Sequence, residues 1–199
     1  MYHLTSQAFD EAYLQRVEKG IRTSPYYGDS PLGEEFVRTK GFSIVFTRSA
    51  LEQVLSKFAY LAPFLEKALF ASSNAFYINP LVMGATSRVD THVDCRLLLE
   101  ENVRIIPNLI SILYTRCEDD IQGGNLLLKV DKETTITLTP KTGDLLHFQG
   151  DLLHSVEEVT GEGLRVNVVC EQYNLSEDLL KSFPKFAVLT NEDPAPRVS

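Results

Sequence analysis

Cysteine is scarce in this chain and irregularly placed. Cys95, Cys117 and Cys170 are an odd number, widely spaced and without a CxxC pair, which argues against a disulfide framework or a zinc knuckle. Free thiols in a reducing cytosol are the expectation. The opening MYHLTSQAFDEAYL has neither a basic flank nor a continuous apolar core, so it does not read as a secretion signal. No apolar run reaches transmembrane length. Basic residues are outnumbered, 19 Lys and Arg against 27 Asp and Glu, for a net charge of −8. Neither a nucleic-acid backbone nor an anionic membrane is therefore the expected partner. With no repeat or low-complexity block, the expectation is one soluble, cytoplasmic domain over residues 1–199, long enough to bury a core.

Two textures divide the chain. Residues 1–70 read as helical: Phe9, Tyr13, Leu14 and Val17 recur at helical spacing up to a stop at Gly20. Ser49-Ala50-Leu51-Glu52 reads as a capping box, and Pro63 as the start of another short helix. Between them, the Gly- and Pro-rich stretch 24–42 reads as a loop and part of an active-site lid. From about 75 to 173 the pattern becomes short strands: Phe76–Ile78, Thr91–Leu98, Leu109–Thr115, Asn125–Val130, Thr134–Leu138, Leu145–Phe148, His154–Val159 and Leu164–Tyr173. Turns at Gly123-Gly124, Pro140–Gly143 and Gly161–Gly163 separate some of them. Such spacing predicts a mainly β protein with flanking helices, a double-stranded β-helix (jelly roll) preceded by N-terminal helices. Ser176 is placed to cap a last helix, followed by a loose tail (176–199).

The chemistry concentrates in a few positions. His92 and Asp94 are two residues apart, so on a strand they share a face. Adding His154 gives two imidazoles and one carboxylate, the donor set suited to Fe(II) with open coordination positions. An HxD pair alone is common and is often a surface pair. His154 is preferred as third ligand over His147, which no arginine follows at a matching place, and over His3 in the N-terminal tail. Arg165 and Asn167 alternate with Val166, Val168 and Cys170, so their face is either a solvent face or, in a jelly roll, a buried inner face where the arginine requires an anion. A dicarboxylate would meet it fork to fork.

Together these segments, from about Phe76 to Tyr173, resemble the 2-oxoglutarate/Fe(II)-dependent dioxygenase superfamily, in its prolyl-4-hydroxylase-like branch. The matching stretches are Thr91–Asp94, the Tyr114 strand, Gln122–Leu126, Thr139–Asp144, and His154 through Arg165, in family order. The resemblance implies that His92, Asp94 and His154 hold Fe(II), and that Arg165 pairs with the distal carboxylate of 2-oxoglutarate, with O2 as the other co-substrate. Tyr114 matches a position whose hydroxyl helps hold 2-oxoglutarate, or is simply an inward core tyrosine. Asn167 falls where relatives carry a small polar residue beside the arginine. The Gly-Gly turn reads as structural only. The halogenating branch has a small residue where this chain has Asp94, so hydroxylation is the implied reaction.

The substrate is less legible. Arg96, two positions after Asp94, either faces the metal and binds a substrate carboxylate or is solvated; Arg88 is a similar candidate. The leading expectation is a hydroxylase of a small molecule such as a free amino acid. Its rivals are a peptidyl or protein hydroxylase with the same iron site and a cupin-like metal-binding module without oxygenase activity, which would leave Arg165 unexplained.

Overall fold

The computed structural model describes residues 2–94, 97–99, 104–193 and 197–198. The chain opens with strand β1 (Tyr2–Thr5) and helix α1 (Glu11–Arg22). Asp10 caps α1 by accepting the Tyr13 N–H at 2.8 Å, the usual way of satisfying an orphan donor in the first turn. Tyr13, Leu14, Val17 and Ile21 form its buried stripe. Gly20 is not the stop that the sequence suggested. It lies inside the helix because the Tyr60 ring occupies the space a Cβ would need, and Thr23 is the C-cap.

The stretch read as a loop holds three two-residue strands, β2 (Gly28–Asp29), β3 (Phe36–Val37) and β4 (Lys40–Gly41), followed by a fully buried β5 (Ser43–Thr47). Residues 1–70 are thus only partly helical. Helix α2 (Leu51–Lys57) follows a short 3-10 turn, and Ser49 bonds Thr47 rather than closing a capping box. Helix α3 (Ala62–Ala68) carries Pro63 in its first turn, as expected.

Strand β6 (Ala75–Met83) runs straight through Pro80, then β7 spans Arg88–His92. Next come β8 (Leu97–Leu99), β9 (Arg104–Ile105), β10 (Leu109–Cys117), β11 (Leu126–Lys129), β12 (Thr135–Leu138), β13 (Leu145–Gln149), β14 (Leu153–Val156) and β15 (Arg165–Tyr173). Helix α4 (Glu177–Ser182) is capped by Ser176. The segment beyond it returns as β16 (Phe186–Leu189) against β5, and β17 (Arg197–Val198) pairs with β8.

Among the described residues, the large sheet runs β1-β13-β10-β15-β6-β4-β2, with β5 also on β6 and β16 on β5. The opposing sheet runs β12-β11-β14-β7-β3. The alternation of side chains along the large sheet builds two cores. Leu113, Val166, Val168 and Cys170 face the helices, packing with Val17, Ile21, Phe64 and Leu65. Ile112, Tyr114, Leu81, Met83 and Phe148 face the second sheet and meet Leu126, Leu128 and Val156. This is the expected jelly roll, with the helices as a backing layer. Fully burying each of these aliphatic side chains stabilises by roughly 1.5–3 kcal/mol. Phe64 N donates to the Tyr13 hydroxyl at 2.9 Å, tying α3 to α1. No helix is long and apolar enough to cross a membrane among the described residues.

Candidate active site

His92 and His154 are direct partners across β7 and β14, but their alignment depends on an irregularity. Val156 pairs with Val89 and His154 with His92, so two steps on β14 span three on β7. Val89 points into the jelly roll. By strict alternation His92, three residues on, would point outward; the bulge turns it back inside. Strand β7 ends at His92, so Asp94 is not a strand residue sharing its face, as the sequence suggested. It reaches the site from the segment just beyond and is buried at 5% exposure.

The three side chains converge. His92 Nε2 lies 3.2 Å from Asp94 Oδ1, His154 Nε2 lies 3.5 Å from Oδ2, and the ligand atoms all fall within 4.8 Å of one another. Each imidazole donates Nδ1–H to a backbone carbonyl two residues back: His92 to Asp90 O at 2.8 Å and His154 to Leu152 O at 2.9 Å. That tautomer leaves both Nε2 lone pairs aimed at one point, the arrangement in which imidazoles bind metals. Burial also lowers the His154 pKa despite the Asp94 carboxylate beside it, which keeps the ring neutral and able to ligate. Phe36 stands edge-on to His92 and Phe148 edge-on to His154, fixing both rings.

Arg165 lines the same cleft and is 2% exposed. Its Nη1 donates to Gly124 O at 2.5 Å, its Nη2 lies 3.5 Å from the Tyr114 hydroxyl, and its Nε has no partner among the described residues. No carboxylate among the described residues pairs with it. Burial pushes the Tyr114 phenol up to about 12, with Arg165 opposing the rise, so Tyr114 stays protonated at neutral pH and can donate a hydrogen bond. The unpartnered Oδ1 of buried Asn167 lies in the same wall. A buried cation without an anion is costly. Here the counter-charge must come from whatever occupies the cleft, and a carboxylate group suits the Arg165 fork.

The glycine turn does more than close a hairpin, contrary to the sequence reading. Gly123 and Gly124 have φ of +71° and +68°, and a Cβ on Gly123 would lie 2.0 Å from Glu158 O. The turn thereby presents Gly124 O to the guanidinium. Gly123→Ala is expected to destabilise the protein by roughly 2 kcal/mol or more, from left-handed strain plus the clash. Thermal denaturation reads that loss, and weaker 2-oxoglutarate binding should accompany it.

The remaining assignments separate. His147 hydrogen-bonds Ser111 on the helix-facing side and meets the Phe70 ring, well away from the triad. Arg88 pairs with Asp90 at 3.0 Å and Glu158 at 3.8 Å and does not line the cleft. Arg96 lies outside the described residues. Tyr26 packs against Phe42 and Phe58 rather than over the cleft. The loop does contribute a roof, through Leu32 and Phe36.

Sequence reasoning passed over Asn79. It lines the cleft from the inner face of β6, accepts from Ser43 Oγ at 2.6 Å and donates to Glu171 Oε1 at 3.2 Å. A single polar residue in the apolar run AFYINPLVM was the signal available, because a buried amide requires partners.

No protein-family profile and no curated protein matches the sequence. Solved structures do. A prolyl-4-hydroxylase from Pseudomonas putida aligns with a TM-score of 0.56 at 12% identity, covering 88% of this chain and 93% of that one. A prolyl hydroxylase from Trichoplax adhaerens, in complex with a hypoxia inducible factor peptide fragment, aligns at 0.59 and 12%, covering 87% and 83%. HygX from Streptomyces hygroscopicus, with nickel, 2-oxoglutarate and hygromycin B bound, aligns at 0.52 and 12%, covering 86% and 82%. The jelly roll of this chain is thus the fold of the 2-oxoglutarate/Fe(II) oxygenases, in the form found in prolyl-4-hydroxylases.

Proposed function

We propose that this chain is a 2-oxoglutarate- and Fe(II)-dependent dioxygenase that hydroxylates a small molecule. The observation that carries this reading is the buried Arg165, lacking a described carboxylate partner, in one cleft with the His92–Asp94–His154 cluster. A metal site alone would serve a cupin-like module; the arginine gives the cleft a second, anion-specific end.

His92 Nε2, His154 Nε2 and the Asp94 carboxylate would hold the metal. Arg165 would hold the distal carboxylate of 2-oxoglutarate, with Tyr114 donating beside it and Asn167 lining the approach. When bound, Fe(II), 2-oxoglutarate and O2 supply the oxidising power that inserts oxygen into a C–H bond, with succinate and CO2 released. The chain's own contribution is placement and dryness. Leu81, Val89, Ile112, Leu126, Val156 and Val169 line most of the cleft, excluding water from the reacting centre.

The space open inside the cleft is about 30 Å³, well below an ordinary small-ligand pocket, so a ligand must part its walls to enter. Leu32 and Phe36 roof it, which favours a compact substrate with an apolar body over a wide peptide groove. Free amino acids remain the first class to screen. A peptidyl hydroxylase is the second reading, favoured by the peptide seen on the Trichoplax relative.

Anaerobically iron-loaded protein exposed to O2 should convert 2-oxoglutarate to succinate slowly even without substrate. His92→Ala and Arg165→Ala should each abolish that turnover. Wild-type protein that neither turns over nor binds 2-oxoglutarate would remove the oxygenase reading. Stimulation by amino acids against proline-containing peptides then separates the two substrate classes.

A further inference from the structure

A second pocket opens near the turn between β6 and β7, and the oxygenase chemistry makes no use of it. It encloses about 290 Å³ and shares no lining residue with the metal cleft. Arg22, Arg38 and Lys40 line it, with Tyr27, Val82 and Leu164 among its other walls. No carboxylate lines it, in a chain whose net charge is −8. Glu18 approaches Arg22 at 3.0 Å but is shared with Arg116 at 2.9 Å, so one carboxylate serves two guanidinium groups. Arg38 and Lys40 have no ion-pair partner among the described residues.

The backbone here is strained in a way that fixes one of the cations, Arg38. Arg38 and Thr86 have φ of +53° and +67°, a left-handed conformation uncommon for a non-glycine residue and more so for a β-branched one. The two are bonded to each other, Arg38 Nη1 donating to Thr86 Oγ1 at 2.7 Å. Ser87 Oγ donates to Arg38 O at 2.7 Å and accepts from Gly84 N at 3.1 Å. Arg38 is therefore held through both main chain and side chain, although it is exposed. Strain maintained by several hydrogen bonds is a mark of functional positions. Burial raises the Tyr27 pKa, so its phenol stays a donor at neutral pH.

We propose that this pocket binds a small organic phosphate, its dianion held across Arg22, Arg38 and Lys40 and its apolar body resting on Tyr27, Val82 and Leu164. Three cations exceed what one carboxylate needs and suit a phosphate with three acceptor oxygens. The apolar wall and the size of the pocket leave room for more than the anion. Since the pocket is separate from the metal cleft, its ligand is an effector rather than the oxidised substrate.

The test is calorimetric titration of metal-free protein with phenyl phosphate, with inorganic phosphate and phenol as parallel arms. This readout is independent of oxygenase turnover. Saturable binding of phenyl phosphate is expected, tighter than that of inorganic phosphate, with none for phenol. Arg38→Gln and Lys40→Gln should each weaken it roughly tenfold or more, as loss of a charged hydrogen bond implies. Lys132→Gln, in the loop between β11 and β12, should leave it unchanged. Arg38→Gly places glycine where the backbone is left-handed, so it should fold at least as stably as wild type yet lose binding. Absence of saturable binding would overturn the proposal, as would affinity undiminished in both glutamine variants. Inorganic phosphate binding as tightly as phenyl phosphate would equally overturn an organic ligand.

Discussion

Arg165→Met is expected to weaken 2-oxoglutarate binding about a hundredfold or more, the usual scale for truncating one partner of a buried charge pair, while the protein stays folded. Among the described residues, the Arg165 guanidinium bonds only Gly124 O and, weakly, the Tyr114 hydroxyl, and it lies over the Tyr114 ring at 5.0 Å. Without co-substrate the wild type carries the desolvation cost of a buried cation with no described carboxylate beside it. Methionine removes that cost and fills much of the volume. The two effects should therefore separate: thermal stability of the metal-free protein near or above wild type, and 2-oxoglutarate affinity collapsed. Calorimetry on Mn(II)-substituted protein, kept anaerobic, reads the affinity without turnover. Arg165→Lys keeps the charge but loses the planar fork, and an intermediate loss is expected. Affinity unchanged in the methionine variant would place the co-substrate elsewhere and leave Arg165 a structural residue.

The interior face that carries this arginine was legible because β15 alternates so regularly. Val166, Val168 and Cys170 were assigned to one side and Arg165 and Asn167 to the other, and the two cores divide along that line. Strands β10 and β13 were also found from their apolar runs. Where reading failed, tertiary pairing rather than local pattern decides the structure. Strands β2, β3 and β4 are two residues each and exist only through their neighbours. Strand β5 is buried on both faces, with Ile44 and Phe46 toward the helices and Val45 in another cluster, so no solvent-facing residue marks its period.

Strand β6 runs past Ile78, where the sequence reading ended it, and through Pro80. A central strand should stop before Pro80, for want of an N–H. On one side of β6, however, β5 pairs with residues 75–78 and β4 with Leu81 and Val82. Pro80 falls in the gap between these neighbours, and the strand continues through it. The cluster of His92, Asp94 and His154 was legible from residue type and order, but its geometry was not. A bulge in β7 and a strand end before Asp94 achieve what simple alternation was expected to do.

Asp94→Asn is expected to raise the melting temperature of the metal-free protein while abolishing its response to metal. Both histidines commit Nδ1–H to carbonyls, which turns both Nε2 lone pairs toward the Asp94 carboxylate. That crowding is relieved by a cation. Saturating Mn(II), at roughly a hundred times its dissociation constant, should stabilise the wild type by about 2.7 kcal/mol. For a chain of this size that is a rise of about 5–10 °C, reversed by a chelator. An amide at position 94 instead donates an N–H toward an imidazole nitrogen, worth about 1 kcal/mol in the metal-free state. It also removes the negative charge on which metal affinity depends. His154→Ala should lose the metal response without that compensating gain. The opposite result, a metal-free Asp94→Asn protein less stable than wild type, would mean that the cluster is a protonated histidine–aspartate ion pair. In that case the three side chains stabilise the fold rather than hold a metal.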